Sequence, residues 1–379
     1  MVRIGIPRAF LYYKYYPLWD TFFKQLGVEV VVSPESNKDI VKRGTMNTVD
    51  EACLPLKVFI GHVLELTNAG VDFLFIPRFI SIEKHRYLCP KFLALPDVVR
   101  GALHRHQLPA IVEPIVDVWL NKKEFYKELL SLAYRFSKNP IVIYKAIDRA
   151  VSVHQAYLAL LQSGMDCNEA LRTYRMLGYQ IAQPSLSVQE DTKQYSPHLA
   201  GAEQSDQPMH DKPMKIAVIT HPYILYDRHI SMNLVKKLRA MNCVVSTVEM
   251  VNQRAIDEST EDLTKDLFWT MNREIVGAAF HHRNQQDIDG MIILTAFSCG
   301  PDAITKELIE RVYKRQLAIP LLSLTIDEHT GEAGLITRLE AFLDMIKRKD
   351  KGAEKYESDV SAYGEFPHRS QSVVSNAGH

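Results

Sequence analysis

The sequence predicts an α/β protein made of two related Rossmann-like lobes with mostly parallel sheets, plus a helical insert between them. Three observations predict it. Short apolar runs alternate with segments of helical periodicity, the signature of strands joined by crossover helices. The opening plan returns after Met214: Arg3-Ile4-Gly5-Ile6-Pro7-Arg8 is matched by Lys215-Ile216-Ala217-Val218-Ile219, and Asp72-Phe73-Leu74-Phe75-Ile76 by Asp289-Gly290-Met291-Ile292-Ile293-Leu294. At 379 residues the chain exceeds one ordinary core, because domains run to about 100–200 residues.

Residues 4–6 read as a strand, after which Leu18, Phe22, Phe23 and Leu26 recur at helical spacing up to a terminating Gly27. Residues 28–32 are an apolar strand. Val58, Val63 and Leu66 mark a helical face that Asn68-Ala69-Gly70 ends, and 71–76 and 110–112 follow as strands. Phe125, Leu129, Leu132 and Phe136, then Val153, Tyr157, Leu160 and Leu161, form helical stripes. In the second lobe 215–219 is a strand, Leu234 and Leu238 mark a helix, 243–248 is a strand, 321–325 is the last strand, and Leu335, Leu339 and Phe342 mark a final helix. The predicted organisation is a first lobe at 1–121, a helical insert at 122–184, a Ser/Gln/Pro-rich linker at 185–213, a second lobe at 214–348 and a polar flexible tail at 349–379.

Composition excludes some functions. Lys and Arg together number 45, as do Asp and Glu, so no net field attracts nucleic acid or an acidic membrane. No run approaches 18 apolar residues and the N-terminus reads directly into a strand, so a cytoplasmic protein is expected. In a reducing compartment five cysteines, an odd number, are not a disulfide framework. Neither G-x-x-x-x-G-K-[ST] nor G-x-G-x-x-G occurs, so ATP chemistry has to come from a partner.

Three of the cysteines share a context: Glu51-Ala52-Cys53-Leu54-Pro55, Leu88-Cys89-Pro90-Lys91 and Ser298-Cys299-Gly300-Pro301-Asp302. A proline within two residues places each at a helix N-terminus, where the dipole and unpaired N–H groups are expected to lower the thiol pKa. In open α/β sheets ligands bind at the carboxyl ends of strands, so the three thiols are expected in a cleft between the lobes. Structural zinc takes four donors with at least one short Cys pair, which is missing here. An iron–sulfur cluster accepts thiolates singly; three would leave one iron open, or two sets could face each other across a dimer. The plainer alternative is burial as small hydrophobes, which is the reading given to Cys167 and Cys243.

Ile4-Gly5-Ile6-Pro7-Arg8-Ala9 with Tyr12-Tyr13, Asp50-Glu51-Ala52-Cys53-Leu54-Pro55, Cys89-Pro90-Lys91-Phe92, Cys299-Gly300-Pro301-Asp302 and Asp327-Glu328-His329-Thr330-Gly331-Glu332-Ala333-Gly334 together resemble the 2-hydroxyacyl-CoA dehydratase superfamily. The branch most similar is the acyl-CoA dehydratase activase-related or CoA protein activase one, related to double-cubane cluster proteins. The resemblance implies two α/β lobes holding a [4Fe–4S] or double-cubane cluster on Cys53, Cys89 and Cys299. It further implies low-potential electrons from an ATP-dependent activator or reductase, a homodimer or a heterodimer with a related subunit, and acyl-CoA as a partner. Radical dehydration through a ketyl, or reduction of small molecules, is the implied activity. Arg8, Lys57, Arg78 and Lys91 are candidates to balance an anionic cluster or touch a CoA phosphate, against the plainer role of solvated charges. His329 is a candidate proton relay, His281 and His282 are expected to be exposed, and the tyrosines at 12, 13, 15 and 16 are expected to pack around a cleft. Rival readings are an accessory or electron-relay protein without its own substrate, and a zinc-binding scaffold.

Overall fold

The computed structural model describes residues 1–119, 122–182, 212–261, 263–316 and 319–362. The first lobe runs β1 (Arg3–Ile6), α1 (Tyr12–Gln25), β2 (Glu29–Val32), α2 (Lys38–Met46), α3 (Leu54–Asn68), β3 (Phe73–Phe75), β4 (Arg78–Ser81), α4 (Pro90–Ala102), β5 (Ala110–Val112) and β6 (Ile115–Asp117). Helices α5 (Lys122–Phe136), α6 (Pro140–Gln162) and α7 (Cys167–Leu177) follow. The second lobe runs β7 (Met214–Ile219), α8 (Pro222–Leu225), α9 (Leu234–Ala240), β8 (Cys243–Thr247), α10 (Gln253–Thr260), α11 (Thr270–Gln285), β9 (Gly290–Ala296), α12 (Gly300–Gln316) and β10 (Leu321–Ile326). Helix α13 (Glu332–Ala362) closes the described chain.

The predicted α/β class with parallel sheets is observed. The sheet orders are β2-β1-β3-β5 and β10-β9-β7-β8, every pairing parallel, with β4 and β6 forming a small third sheet. In both main sheets the lobe's first strand lies between its second and third, and the fourth lies outside the third. The same carboxylate device fixes both registers. Asp72 Oδ2 accepts from Arg3 N at 2.7 Å while Asp72 N donates to Arg3 O at 2.9 Å; Asp289 does the same with Lys215, at 2.7 and 2.8 Å. The aspartate thus ties the first strand's start to the third strand's start. The central strands are apolar on both faces, as parallel strands covered by helices must be; every residue of β9 is buried.

The helix pairs before the third strands repeat as well. In each, an asparagine N-cap, Asn37 or Asn252, accepts backbone N–H groups and starts the first helix. Gly61 of α3 lies against Ile40 of α2, and Gly277 of α11 against Ile256 of α10, with the same sequence separation in each pair. A side chain at Gly61 would drive into the Ile40 carbonyl, and one at Gly44 into the Lys57 carbonyl. Glycine is required there because the backbones of α2 and α3 touch.

The region 122–182 is helical and packs on the first lobe. Tyr157 OH donates to Tyr13 O at 2.7 Å and Tyr174 OH to Asp20 Oδ2 at 2.6 Å, while α7 opens with a capping box between Asp166 and Glu169. The linker expected within 185–213 lies outside the described residues apart from 212 and 213. Helix α13 continues to Ala362, beyond Lys349 where the sequence reading begins a flexible tail. By compactness the chain separates into Met1–Glu332 and Ala333–His379. Expected to be exposed, His282 is instead buried, contacting Ser246 Oγ at 3.1 Å and Asp287 Oδ1 at 2.9 Å. Among the described residues no helix is long and apolar enough to cross a membrane.

Candidate functional site

Cys53, with extended backbone, is the N-cap of α3 and Cys89 the N-cap of α4, each with a proline in the first turn. Cys299 O accepts the Ala303 N–H at 3.0 Å, which makes it the cap of α12. All three line one cavity of about 80 Å³, together with Lys91, His221, Tyr223 and Trp269. This is small against the roughly 300–1,000 Å³ of pockets that hold drug-sized ligands.

The repeat explains the convergence. Cys89 and Cys299 each follow their lobe's third strand and cap the next helix. Cys53 caps the helix that precedes the third strand, and its counterpart is Trp269, the N-cap of α11, which stands as far before Gly277 as Cys53 stands before Gly61. Four helix starts therefore meet at the cavity, three bearing thiols and one an indole. The two loops are pinned by a parallel bridge in which Tyr87 N donates to Phe268 O at 3.1 Å and Thr270 N to Tyr87 O at 2.9 Å. A further tie is Ser298 Oγ donating to Glu51 O at 2.5 Å, with Ser298 held at φ 63°.

Helix-start location was expected to lower the thiol pKa values; burial decides otherwise. The Cys89 and Cys299 thiols are pushed up first by desolvation, and Cys299 next by the adjacent Asp302 carboxylate, while the Lys91 and Asp302 N–H groups pull the other way without winning. Asp302 is 2% exposed. Its burial acts to raise its pKa, but His221 Nε2 at 2.8 Å and Asn272 Nδ2 at 3.2 Å, with Cys299, hold it below the usual carboxylate range. Asn272 also reaches Thr305 Oγ1 at 2.9 Å. Raised thiols make metal-free stability pH-dependent: the native state retains protons that the unfolded chain loses above about pH 8.5. Urea midpoints of metal-free protein should therefore fall between about pH 8 and 10, less steeply in Cys299→Ser; an unchanged slope in that variant would contradict the assignment.

Of the sequence-predicted neighbours, only Lys91 lines the cavity. Lys57, in the first turn of α3, is 3% exposed and donates to Glu328 Oε1 at 2.5 Å and Asp50 O at 3.0 Å. Its ammonium ties the Cys53 loop to the segment after β10 rather than facing the cavity. Lys57→Met, leaving Glu328 unpaired at 14% side-chain exposure, should cost about 3 kcal/mol in urea unfolding; a change below about 0.5 kcal/mol would refute that role. Arg78 is engaged by Asp97 and Glu113 beside Arg100. Arg8 lines a different cavity. His329 is exposed and does not line the thiol cavity. Residues that sequence reasoning missed are His221, Asn272, Asp302, Trp269 and Phe10. Phe10 sits at φ 50°, costly for a bulky residue, with its ring 4.9 Å from Phe92 and 5.4 Å from Tyr223. The Trp269 indole N–H is buried without a protein partner.

Among the described residues no three His, Cys, Asp or Glu side chains are arranged to hold a single metal ion. What the fold does bring together is three thiols that line one cavity. An uncharacterized protein of Methanocaldococcus jannaschii, MJ0800, is 25% identical over 75 residues, which are 20% of this chain and 18% of that protein. The chain thus spans under a fifth of that relative's length. A family model described as the CoA enzyme activase uncharacterised domain matches residues 3–251, a stretch that holds Cys53 and Cys89 and ends before Cys299. By that match over most of its length, and in agreement with the motifs round its cysteines, the chain belongs to the CoA enzyme activase-related family.

Proposed function

We propose that Cys53, Cys89 and Cys299 hold an iron–sulfur cluster and that the protein takes up low-potential electrons from a separate ATP-dependent reductase. One observation carries this reading: three cysteines remote in sequence each cap a helix and line the same cavity. When bound, such a cluster supplies one-electron transfer. The chain's own part is to deprotonate the thiols, exclude water and hold charge. Protons leave Cys89 and Cys299 as metal binds, Lys91 and the helix starts offset the thiolates, and Phe10, Phe92, Trp269 and Met271 keep the cavity dry. The His221–Asp302 pair beside Cys299 provides a buried proton donor and acceptor.

The small cavity favours two roles over acyl-thioester dehydration: relay of electrons to a dehydratase-type partner, or reduction of a small molecule. A zinc scaffold fits less well, since zinc needs four donors converging at about 2.0–2.3 Å. Iron and acid-labile sulfide per chain on anaerobically purified protein test the proposal, with about four of each expected for one cubane. Zinc in place of iron after anaerobic reconstitution would overturn it. Molar mass in solution, and mixing with a reductase and ATP while following the visible absorption, test the dimeric state and the electron donor.

A further inference from the structure

A second cavity, of about 230 Å³, shares no lining residue with the thiol cavity. Four guanidinium groups line it: Arg8 from the β1–α1 loop, Arg172 and Arg175 from α7, and Arg228 from the α8–α9 loop. They are poorly balanced. Two carboxylates line the cavity. Asp227 is 2% exposed and already satisfied, accepting from His229 N at 3.0 Å, Ile230 N at 3.1 Å and the Ser36 hydroxyl. Ser36 Oγ in turn contacts His62 Nε2 at 2.8 Å, and burial lowers the His62 pKa to about 3, so no further positive charge comes from that side. Glu35 is 60% exposed and pairs with Arg8 at 3.1 Å and, loosely, Arg228 at 3.9 Å. Arg175 donates to Tyr12 OH at 2.6 Å. Among the described residues Arg172 has no carboxylate partner, and the Arg8 Nε is buried with no acceptor.

We infer that this cavity binds a small phosphoryl-bearing anion. Like charges brought together on separate elements repel, and an anion with several oxygens is the partner that reverses the sign of that energy. Guanidinium forks match carboxylate and phosphate alike. Forks arriving from three separate elements suit a tetrahedral group with oxygens on every side better than a planar carboxylate. The Tyr12 ring lies 5.7 Å beneath the Arg8 guanidinium and fixes one of the forks in advance.

Calorimetric titration of the full chain with pyrophosphate tests this, with citrate as the carboxylate of comparable charge and sodium chloride matching ionic strength. Saturable pyrophosphate binding is expected, weakened about tenfold or more in Arg172→Gln and in Arg228→Gln. Neither arginine is essential to the fold by its contacts, and both variants should keep the wild-type iron content and thermal midpoint. Absence of saturable binding, or equal affinity in the double variant, would overturn the site. Citrate binding as tightly as pyrophosphate would overturn the phosphoryl assignment.

Discussion

Cys53→Ser, Cys89→Ser and Cys299→Ser are each expected to lose most of the bound iron, while Cys167→Ser and Cys243→Ser keep it. Each of the first three supplies the sole thiol at its helix start, and a serine oxygen is a poor replacement for a thiolate toward iron. Cys167 and Cys243 are the controls. Cys167 is 1% exposed with Sγ 3.9 Å from Tyr13 O, and Cys243 lies 5% exposed in β8; neither lines the thiol cavity. Their replacement should register in stability rather than in metal content. Iron and sulfide analysis with visible spectra on all five variants decides the matter, and full iron in any of the first three would remove that residue from the site.

Gly61→Ala is expected to be, with Gly44→Ala, one of the two most damaging single-methyl changes in the first lobe. The added carbon meets the Ile40 backbone carbonyl, and backbone cannot swing aside as a side chain can. Overpacking commonly costs about 1–3 kcal/mol and more when helices must separate, so a loss of roughly 3 kcal/mol or greater is expected in urea unfolding. Gly277→Ala in the second lobe should cost less, because its nearest neighbour is the Ile256 side chain, at 2.6 Å, with the carbonyl at 3.0 Å. Iron content should fall with Gly61→Ala, since α3 carries Cys53 at its start. A Gly61→Ala protein as stable as wild type would show that the two helices do not touch as described.

The main strands were legible because buried parallel strands are apolar on both faces, and the repeat was legible in paired Asp-led strands. Helix α2 was missed although Asn37 offered a capping signal, because Lys38-Asp39-Ile40-Val41-Lys42-Arg43 shows little apolar stripe. Strands β4 and β6, four and three residues long with mixed burial, gave no periodic signal. The thiol stations were readable because proline announces a helix start. What the dipole argument lacked was burial, a property of the folded surroundings, and burial reversed the direction of the thiol shifts at Cys89 and Cys299. His221 caps α8 after β7 and Asp302 lies in the first turn of α12 after β9, so only the β7–β9 pairing brings them together. Trp269 carried no chemical signal of its own, yet aligning Ile40 and Gly61 with Ile256 and Gly277 places it opposite Cys53.

The four helix starts that meet at the thiol cavity also act as fixed charges. A helix N-terminus carries about half an elementary positive charge, so the ends of α3, α4, α11 and α12 together surround the cavity with approximately two, before Lys91 is counted. That potential belongs to the backbone, so no single side-chain substitution removes it. For the anionic cluster proposed above, this backbone potential would offset part of the charge that the thiolates and Asp302 bring to the cavity.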